Sequence, residues 1–470
     1  MIPRGPAMVR PATTLHGTQP DSRRPLAVGA VLTAMTLVVL DAGMTNLALP
    51  TIAKALHVSP AAAVLVITAY QTALLVALLP AAALGERFGC RRVFAAGVWL
   101  FILSSVLCTL APSLHGLVAA RALQGLGGAA ILALGVPLLR FSVPPQRLGA
   151  AIGWNALTVA LASSAGPGVG ALILAHAHWP WLYAVNIPLG LAVLAASQQL
   201  PRTPSGSHRL DIASMALSGA MFASLFIGAQ LFLARPLLAL GLAVAGVVCL
   251  GLLVRREAPK AAPLIPLDLL RQPSLRLSVI ASVFCFTGQA AAMVALPFYL
   301  QSVLGQSAST TGVYMTVWPL SVAVSAVAAG RLADHFPTAW LCAVGGLGLG
   351  LGLVSAALWP LGQDVRPMLL FAAACGLGFG LFQTPNNRNM FLSAPLERSA
   401  ASGGLQGAAR LTGQTAGAVL MTLLFTLTPI GTAPRLGLGI GGALALLAGL
   451  VSLSRAKDHP RATSKSVREA

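Results

Sequence analysis

Residues 26–50 of the chain read LAVGAVLTAMTLVVLDAGMTNLALP. A single charged residue, Asp41, interrupts an apolar run from Leu26 to Leu49. The run does not alternate apolar and polar residues, so its pattern excludes a transmembrane β-strand. Wound as a helix rising about 1.5 Å per residue, it is long enough for a hydrocarbon core of roughly 30 Å. A secretory signal core is shorter, roughly 7–15 residues, and ends at a small-residue cleavage site. This run instead closes on Ala48-Leu49-Pro50. It therefore reads as a retained membrane helix with a carboxylate inside it.

Outward from this stretch the same signal recurs along the chain. Fourteen apolar segments follow one another, at 26–49, 61–82, 93–112, 116–139, 148–174, 181–200, 212–233, 236–254, 277–300, 309–330, 339–360, 367–386, 401–427 and 434–453. The connections are short and leave no sizeable soluble domain. Of the 470 residues, 56% are hydrophobic and 9% charged, against about 25% charged in soluble domains. So few charges cannot clothe a water-exposed surface of this size, which excludes an ordinary soluble enzyme and a disordered chain. The expected class is an all-α polytopic membrane protein with 14 spans. The longest connection, Arg255–Arg276, holds Pro263, Pro266 and Pro273 and an amphipathic piece, Leu267–Leu270, expected to lie on the membrane surface.

The net charge of +19 comes from 30 Lys and Arg against 11 Asp and Glu. On a soluble protein it would point to nucleic acid. With the N-terminus in the cytoplasm, 24 basic residues fall on the cytoplasmic side and four outside, namely Lys54, Arg235, Arg366 and Arg435. Arg121 and Arg410 lie within segments. This asymmetry is the positive-inside pattern, so both termini are expected in the cytoplasm and no nucleic-acid partner is expected. The six cysteines include no Cys-x-x-Cys and the histidines are scattered, so neither a disulfide framework nor a metal site is expected. No Gly-rich loop ends in Gly-Lys-Ser/Thr, which argues against ATP as energy source.

The chain also repeats itself. Ala48-Leu49-Pro50 recurs as Ala295-Leu296-Pro297, Leu84-Gly85-Glu86-Arg87-Phe88 as Leu332-Ala333-Asp334-His335-Phe336, and Gly125-Leu126-Gly127 as Gly376-Leu377-Gly378, at offsets of 247, 248 and 251 residues. Three matches in order imply two homologous halves. The expected organisation is an N-terminal tail (1–25), a six-helix half (26–200), an inserted helix pair (201–255), a linker (256–276), a second six-helix half (277–453) and a C-terminal tail (454–470). Halves of this kind hold a substrate site between them near the midplane.

Four stretches carry a family resemblance: Asp41 to Pro50, with Asn46 and the closing Ala-Leu-Pro; Ala82-Ala83-Leu84-Gly85-Glu86-Arg87-Phe88-Gly89-Cys90-Arg91-Arg92; Arg121-Ala122-Leu123-Gln124-Gly125; and Gly166-Pro167-Gly168-Val169-Gly170. Together they resemble the major facilitator superfamily, specifically its drug:proton antiporters with fourteen spans, over about residues 26–455. Trp179-Pro180-Trp181 and Asn186-Ile187-Pro188-Leu189-Gly190 resemble that subgroup's sixth helix. The chain departs from the family pattern at Ala82, Glu86 and Cys90 in the second stretch, at Ala171, and at Pro180. The resemblance implies a major facilitator fold that works by alternating access, without cofactor.

The residues themselves suggest roles. Asp41 lies roughly 13 Å below the Pro50 end by helix rise. An ionised carboxylate is costly there, and a group poised between protonated and ionised forms is what proton coupling needs. The alternative is a structural carboxylate bound to a neighbouring helix. Arg121 lies roughly 7 Å from its outer helix end, within about 6 Å of Asp41 in depth, so it either pairs with Asp41 or snorkels to the outer headgroups. Gln124 follows one turn deeper. Gly85 and Gly89 allow a tight turn, and Glu86, Arg87, Arg91 and Arg92 form a conformational gate or a plain basic anchor. Ala162, Gly166 and Gly170 make a small-residue face, and Pro167 kinks its helix. Tyr70, Gln71, Gln124, Trp154 and Asn155 are the candidate substrate-pathway residues. Arg410 has no acid in its half, and snorkelling to the cytoplasmic face is the favoured reading.

The expected protein is therefore not an enzyme. It is a proton-coupled exporter of small amphipathic compounds, drugs or antibiotics, in a bacterial cytoplasmic membrane. Its partners are the substrate, protons and the lipid bilayer, and a monomer is expected. With Asp41 as the one deep acid, neutral or monocationic substrates are expected over dications. A metabolite exporter and a non-transporting receptor or assembly factor are the alternatives.

Overall fold

The computed structural model describes residues 24–203, 210–260, 269–360, 364–393 and 399–455. Most of both tails and residues 261–268 of the linker lie outside them. The described chain is helical: α1 (Arg24–Ala55), α2 (Pro60–Phe88), α3 (Cys90–Thr109), α4 (Leu114–Ser142), α5 (Pro145–His176), α6 (Trp181–Ala184), α7 (Asn186–Ser197), α8 (Ile212–Leu231), α9 (Pro236–Glu257), α10 (Pro273–Phe298), α11 (Ala308–Leu332), α12 (Thr338–Leu358), α13 (Pro367–Leu392), α14 (Ser399–Leu427) and α15 (Ala433–Ser454). In a bilayer every backbone polar group needs an internal partner, and long helices supply it. Local sequence sets their starts. Ser59, Ser113 and Ser307 accept the backbone N–H of Ala62, Gly116 and Thr310 at 3.2, 3.3 and 3.0 Å, and Pro60, Pro236 and Pro273 stand at or next to the first helical position, where a missing N–H costs nothing. One residue, Gly89 at φ +92°, joins α2 to α3; a side chain would strain that conformation.

Among the described residues, twelve helices are long and apolar enough to cross a membrane. The remaining two expected segments look different. Segment 181–200 is a short helix broken at Val185 into α6 and α7, spanning Trp181–Ser197. Segment 401–427 lies within α14, which is outside those twelve. Fourteen helical segments thus exist, and twelve meet the length and apolarity of a full span. Sequence reading placed the end of the first segment at Leu49, but α1 runs through Pro50 to Ala55. Of the linker piece expected at Leu267–Leu270, residues 267 and 268 lie outside the described residues. Leu269 sits in a single 3-10 turn, its apolar side chain buried against Leu275, Met390 and Leu405.

The two halves use the same packing plan. In the first, α2 and α3 pack on α4, and α1 packs on α5 and α7; in the second, α11 and α12 pack on α13, and α10 packs on α14 and α15. Lipid tails are as apolar as leucine, so close backbone contact at small residues holds such helices together. A Cβ at Gly43 or Gly166 would stand 3.1 Å from the other's Cα, so α1 and α5 touch backbone to backbone. The halves meet along α1–α10, α5–α11 and α2–α14, whereas α4 and α13 pack within their own halves. At the end holding the α1–α2 turn, Met44, Leu49 and Ile52 share one core with Phe298, Tyr299 and Trp318, and Gln301 Nε2 donates to the Leu47 carbonyl at 3.0 Å. That end is closed.

The inserted α8–α9 hairpin leans on α2 and α14 through α8. Its base is clamped by charge. Asp211 caps α8 by accepting from the Ser214 N–H at 3.0 Å and hydroxyl at 2.8 Å. It also accepts from Arg256 at 3.0 Å and from Lys260, while the buried Glu257 accepts from Ser214 and Lys260. Burial pushes the Asp211 carboxyl up, but the bonds from Lys260, Ser214 and Arg256 outweigh it and hold the group well below the usual carboxylate range.

Candidate functional site

Asp41 on α1 and Arg121 on α4 form an ion pair at 2.6 Å, and neither side chain has any solvent exposure. Gly125, one turn beyond Arg121, brings α4 to this place. A Cβ there would collide with the Tyr70 carbonyl of α2, so the missing side chain lets the two helices close. Asp41 Oδ1 accepts from Asn186 Nδ2 at 2.7 Å and from Gln124 Nε2 at 3.4 Å. Arg121 also donates to Gln124 Oε1 and to the Val66 carbonyl. Gln124 Nε2 donates to Ser105 Oγ at 2.8 Å, which donates to the Phe101 carbonyl at 2.7 Å. The guanidinium carbon lies 4.2 Å from the Tyr70 ring centre and 5.5 Å from that of Tyr183, within the range of cation–π attraction. Thr45 is buried one turn along from Asp41.

The cluster draws on α1, α2, α3, α4, α6 and α7, all from one half. The break at Val185 puts Asn186 at the first position of α7, with its side chain on Asp41. Two charges taken out of water are tolerated only when paired and hydrogen-bonded, and this pair is. Chemically it is a carboxylate that shares a cation and two amide donors. Protonating it would remove its claim on Arg121 and leave that cation buried with neutral acceptors alone.

Among the pathway candidates, Tyr70 and Gln124 belong to this cluster. Gln71 is half-buried on α2, and its Oε1 has no hydrogen-bond partner among the described residues. Asn155 is half-buried on α5, and its Oδ1 is likewise unpartnered. Trp154 is 59% exposed. At 100° per residue it lies on the side of α5 opposite Gly166 and Gly170, which pack on α1. Sequence reading gave no role to Thr45, Ser105, Tyr183 and Asn186. For Asn186 the visible signal is an amide before Pro188 in an otherwise apolar segment.

The proposed gate residues sit at the opposite end from the α1–α2 turn. Gly85 is buried against Leu134. Glu86, Arg87 and Arg92 are exposed, and Arg91 donates to the Leu200 carbonyl at 3.1 Å, tying the α2–α3 turn to the segment after α7. In the second half Asp334 takes its cation from another helix, pairing with Arg388 at 2.7 Å. Gly166 and Gly170 pack on Gly43 and Met44, and the Pro167 carbonyl lies against Gly312 of α11. Residues 166–171 thus seat α5 between α1 and α11.

The second half has its own polar cluster. Arg455, counted from sequence with the tail, is 4% exposed. It donates to Ser278 and, at 3.0 Å, to Asn386 Oδ1. Asn386 donates to Ser282 at 3.0 Å, and Asn389 to Ser278 at 2.8 Å. No group of His, Cys, Asp and Glu among the described residues has metal-binding geometry.

Comparison with known proteins agrees with this architecture. The family model described as Major Facilitator Superfamily matches residues 31–253 and 278–470. The chain is 41% identical over 414 residues to the uncharacterized transporter YebQ of Escherichia coli (strain K12), covering 85% of this chain and 89% of that one. It is 30% identical over 425 residues to the tetracenomycin C resistance and export protein of Streptomyces glaucescens, covering 88% and 77%. In fold it is similar to a crystal structure of a POT family transporter in complex with a thioalcohol-conjugated peptide, with TM-score 0.72 and 14% identity over 92% of this chain and 96% of that one.

Proposed function

The chain belongs to the Major Facilitator Superfamily, and from that premise we propose that it exports small amphipathic compounds in exchange for protons. One observation carries the reading: a carboxylate and a guanidinium, fully buried and bound to each other, inside a half that must move as a unit. A charge pair without water contact is a costly choice for mere stability, and an intramembrane acid of this kind is by default functional. The export function named for the Streptomyces glaucescens relative supports the direction of transport.

In this mechanism both termini are cytoplasmic, so the closed end with the α1–α2 turn faces outside. Asp41 takes up a proton when the halves rearrange toward the outside, and Arg121 is released to its neutral partners, Gln124 and the Val66 carbonyl. Loss of the pair changes how α1 holds to α4, and α5, packed on α1 through Gly43 and Gly166, carries that change to α11. Residues 85–92 stabilise one state at the cytoplasmic side. The protein works as a monomer and binds no cofactor.

The test is substrate-driven proton movement in proteoliposomes. Asp41→Asn is expected to abolish proton-coupled transport while remaining folded, and Arg121→Lys to impair it, because an ammonium does not replace the planar fork. Exchange by Asp41→Asn at the wild-type ratio would make Asp41 structural. Impermeant labelling of a cysteine placed at position 235 tests the orientation, and labelling only after lysis would invert it.

A further inference from the structure

Arg410 lies 11 residues beyond Ser399 in α14, about 16 Å along the helix. It makes no ion pair or hydrogen bond among the described residues. Its Nε is buried without a partner, while the residue as a whole is part-exposed, so the terminal nitrogens reach open space. Gln406 and Gln414 stand four residues to either side, equally part-exposed and without hydrogen bonds. The three form one stripe.

The packing of α14 fixes where this stripe points. Gly404 and Gly407 lie against Leu79 and Leu78 of α2, and Gly413 and Gly417 against Val283 and Thr287 of α10. At 100° per residue, positions 410 and 414 fall between these two faces, and 406 falls on the edge turned to α10. The face turned to the α8–α9 hairpin lies on the other side of the helix. The stripe therefore looks into the seam between the two halves. Across it, Gln71 lies seven residues along α2 from Leu78, as Gln414 lies seven along α14 from Gly407. Antiparallel helices with equal rise bring Gln71 and Gln414 to one level.

A lone cation in this seam needs an anion. The helices α10–α15 contain no Asp or Glu, and Asp41 is committed to Arg121 with no exposed surface. Among the described residues the seam thus presents a positive charge and amides, with no free carboxylate. We propose that Gln406, Arg410 and Gln414, facing Gln71, form the substrate-binding face and select amphipathic compounds bearing an ionised acidic group. This rests on the exporter reading and revises its substrate class, since Asp41 offers no charge to a cationic compound. The acid pairs with Arg410, and polar groups about 6 Å to either side meet the two glutamines.

Fluorescein and rhodamine 123 share a three-ring body and carry opposite charge, and serve as probes. Equilibrium binding to the purified protein in nanodiscs needs no proton gradient. Wild type is expected to bind fluorescein about 10-fold or more tighter than Arg410→Gln, with Arg410→Lys retaining most of the affinity and rhodamine 123 gaining in Arg410→Gln. Fluorescein affinity unchanged within about twofold in a folded Arg410→Gln protein overturns the proposal. So does wild-type binding of rhodamine 123 in preference to fluorescein, or of neither dye. Uptake into inverted vesicles separates this from the exporter reading. Arg410-dependent fluorescein binding without proton-driven uptake refutes the exporter and leaves the binding face standing.

Discussion

Removing both members of the Asp41–Arg121 pair should cost clearly less than the two single removals summed. In Asp41→Asn the guanidinium stays charged, since it cannot discharge. Gln124 and the Val66 carbonyl still accept from it, and the Tyr70 ring stays within 4.2 Å. Those partners place the cost near the low end for an unpaired buried charge, about 3 kcal/mol. Arg121→Gln is milder, about 1–3 kcal/mol, because the carboxyl can take up a proton and keeps Asn186 as donor. The double variant buries no charge at all, so its cost should fall short of the sum by about 2 kcal/mol. Reversible unfolding in mixed micelles with increasing dodecyl sulfate, at one pH and lipid composition, measures all four proteins. Effects that add to within about 0.5 kcal/mol would mean the two residues are not coupled, and the geometry would have to be abandoned.

Two further outcomes follow from the packing and the clamp. Gly125→Val should separate α2 from α4 and lose monodispersity on size exclusion, whereas Gly251→Ala, with open space around it, should match wild type; a monodisperse Gly125→Val at wild-type yield contradicts the contact. The lowered Asp211 carboxyl stabilises the α8–α9 base at every pH above the unfolded value of about 3.9, and that stability fades as pH falls through the still lower folded value. Hydrogen exchange of the Ser214 amide, corrected for intrinsic rate, should stay flat from pH 8 to pH 5 and be faster in Asp211→Asn throughout; a loss of protection already at pH 5 rules the clamp out.

Much of the helical order was legible because membrane spans announce themselves by length and apolarity. Asp41 stood out for the same reason, as the one acid in a long apolar run. Arg121 and Gln124 were marked by the family resemblance of Arg121-Ala122-Leu123-Gln124-Gly125 and by their depth in the helix. Asn186, Ser105 and Tyr183 did not, because small polar residues in apolar helices have no period. Only the break at Val185 and the tertiary packing bring them to Asp41. Segment 181–200 looked continuous because apolarity does not register a broken helix. Arg455 looked like a tail charge, since nothing local says that Ser278 and Asn386, far off in sequence, will close around it. Trp154 was chosen by residue type, because an aromatic in a span reads as a lining group, and it stands exposed on α5 outside the Asp41 cluster.

The absence of any solvent contact at Asp41 has a kinetic consequence. A proton cannot reach this carboxylate by diffusion while its neighbours stay packed, so its exchange waits on an opening of the protein. In the proton exchange proposed above, idle leakage would be limited by how often the empty carrier opens. A cell carrying many copies would lose little of its membrane potential through them at rest, because the same packing that hides the pair also throttles wasteful cycles.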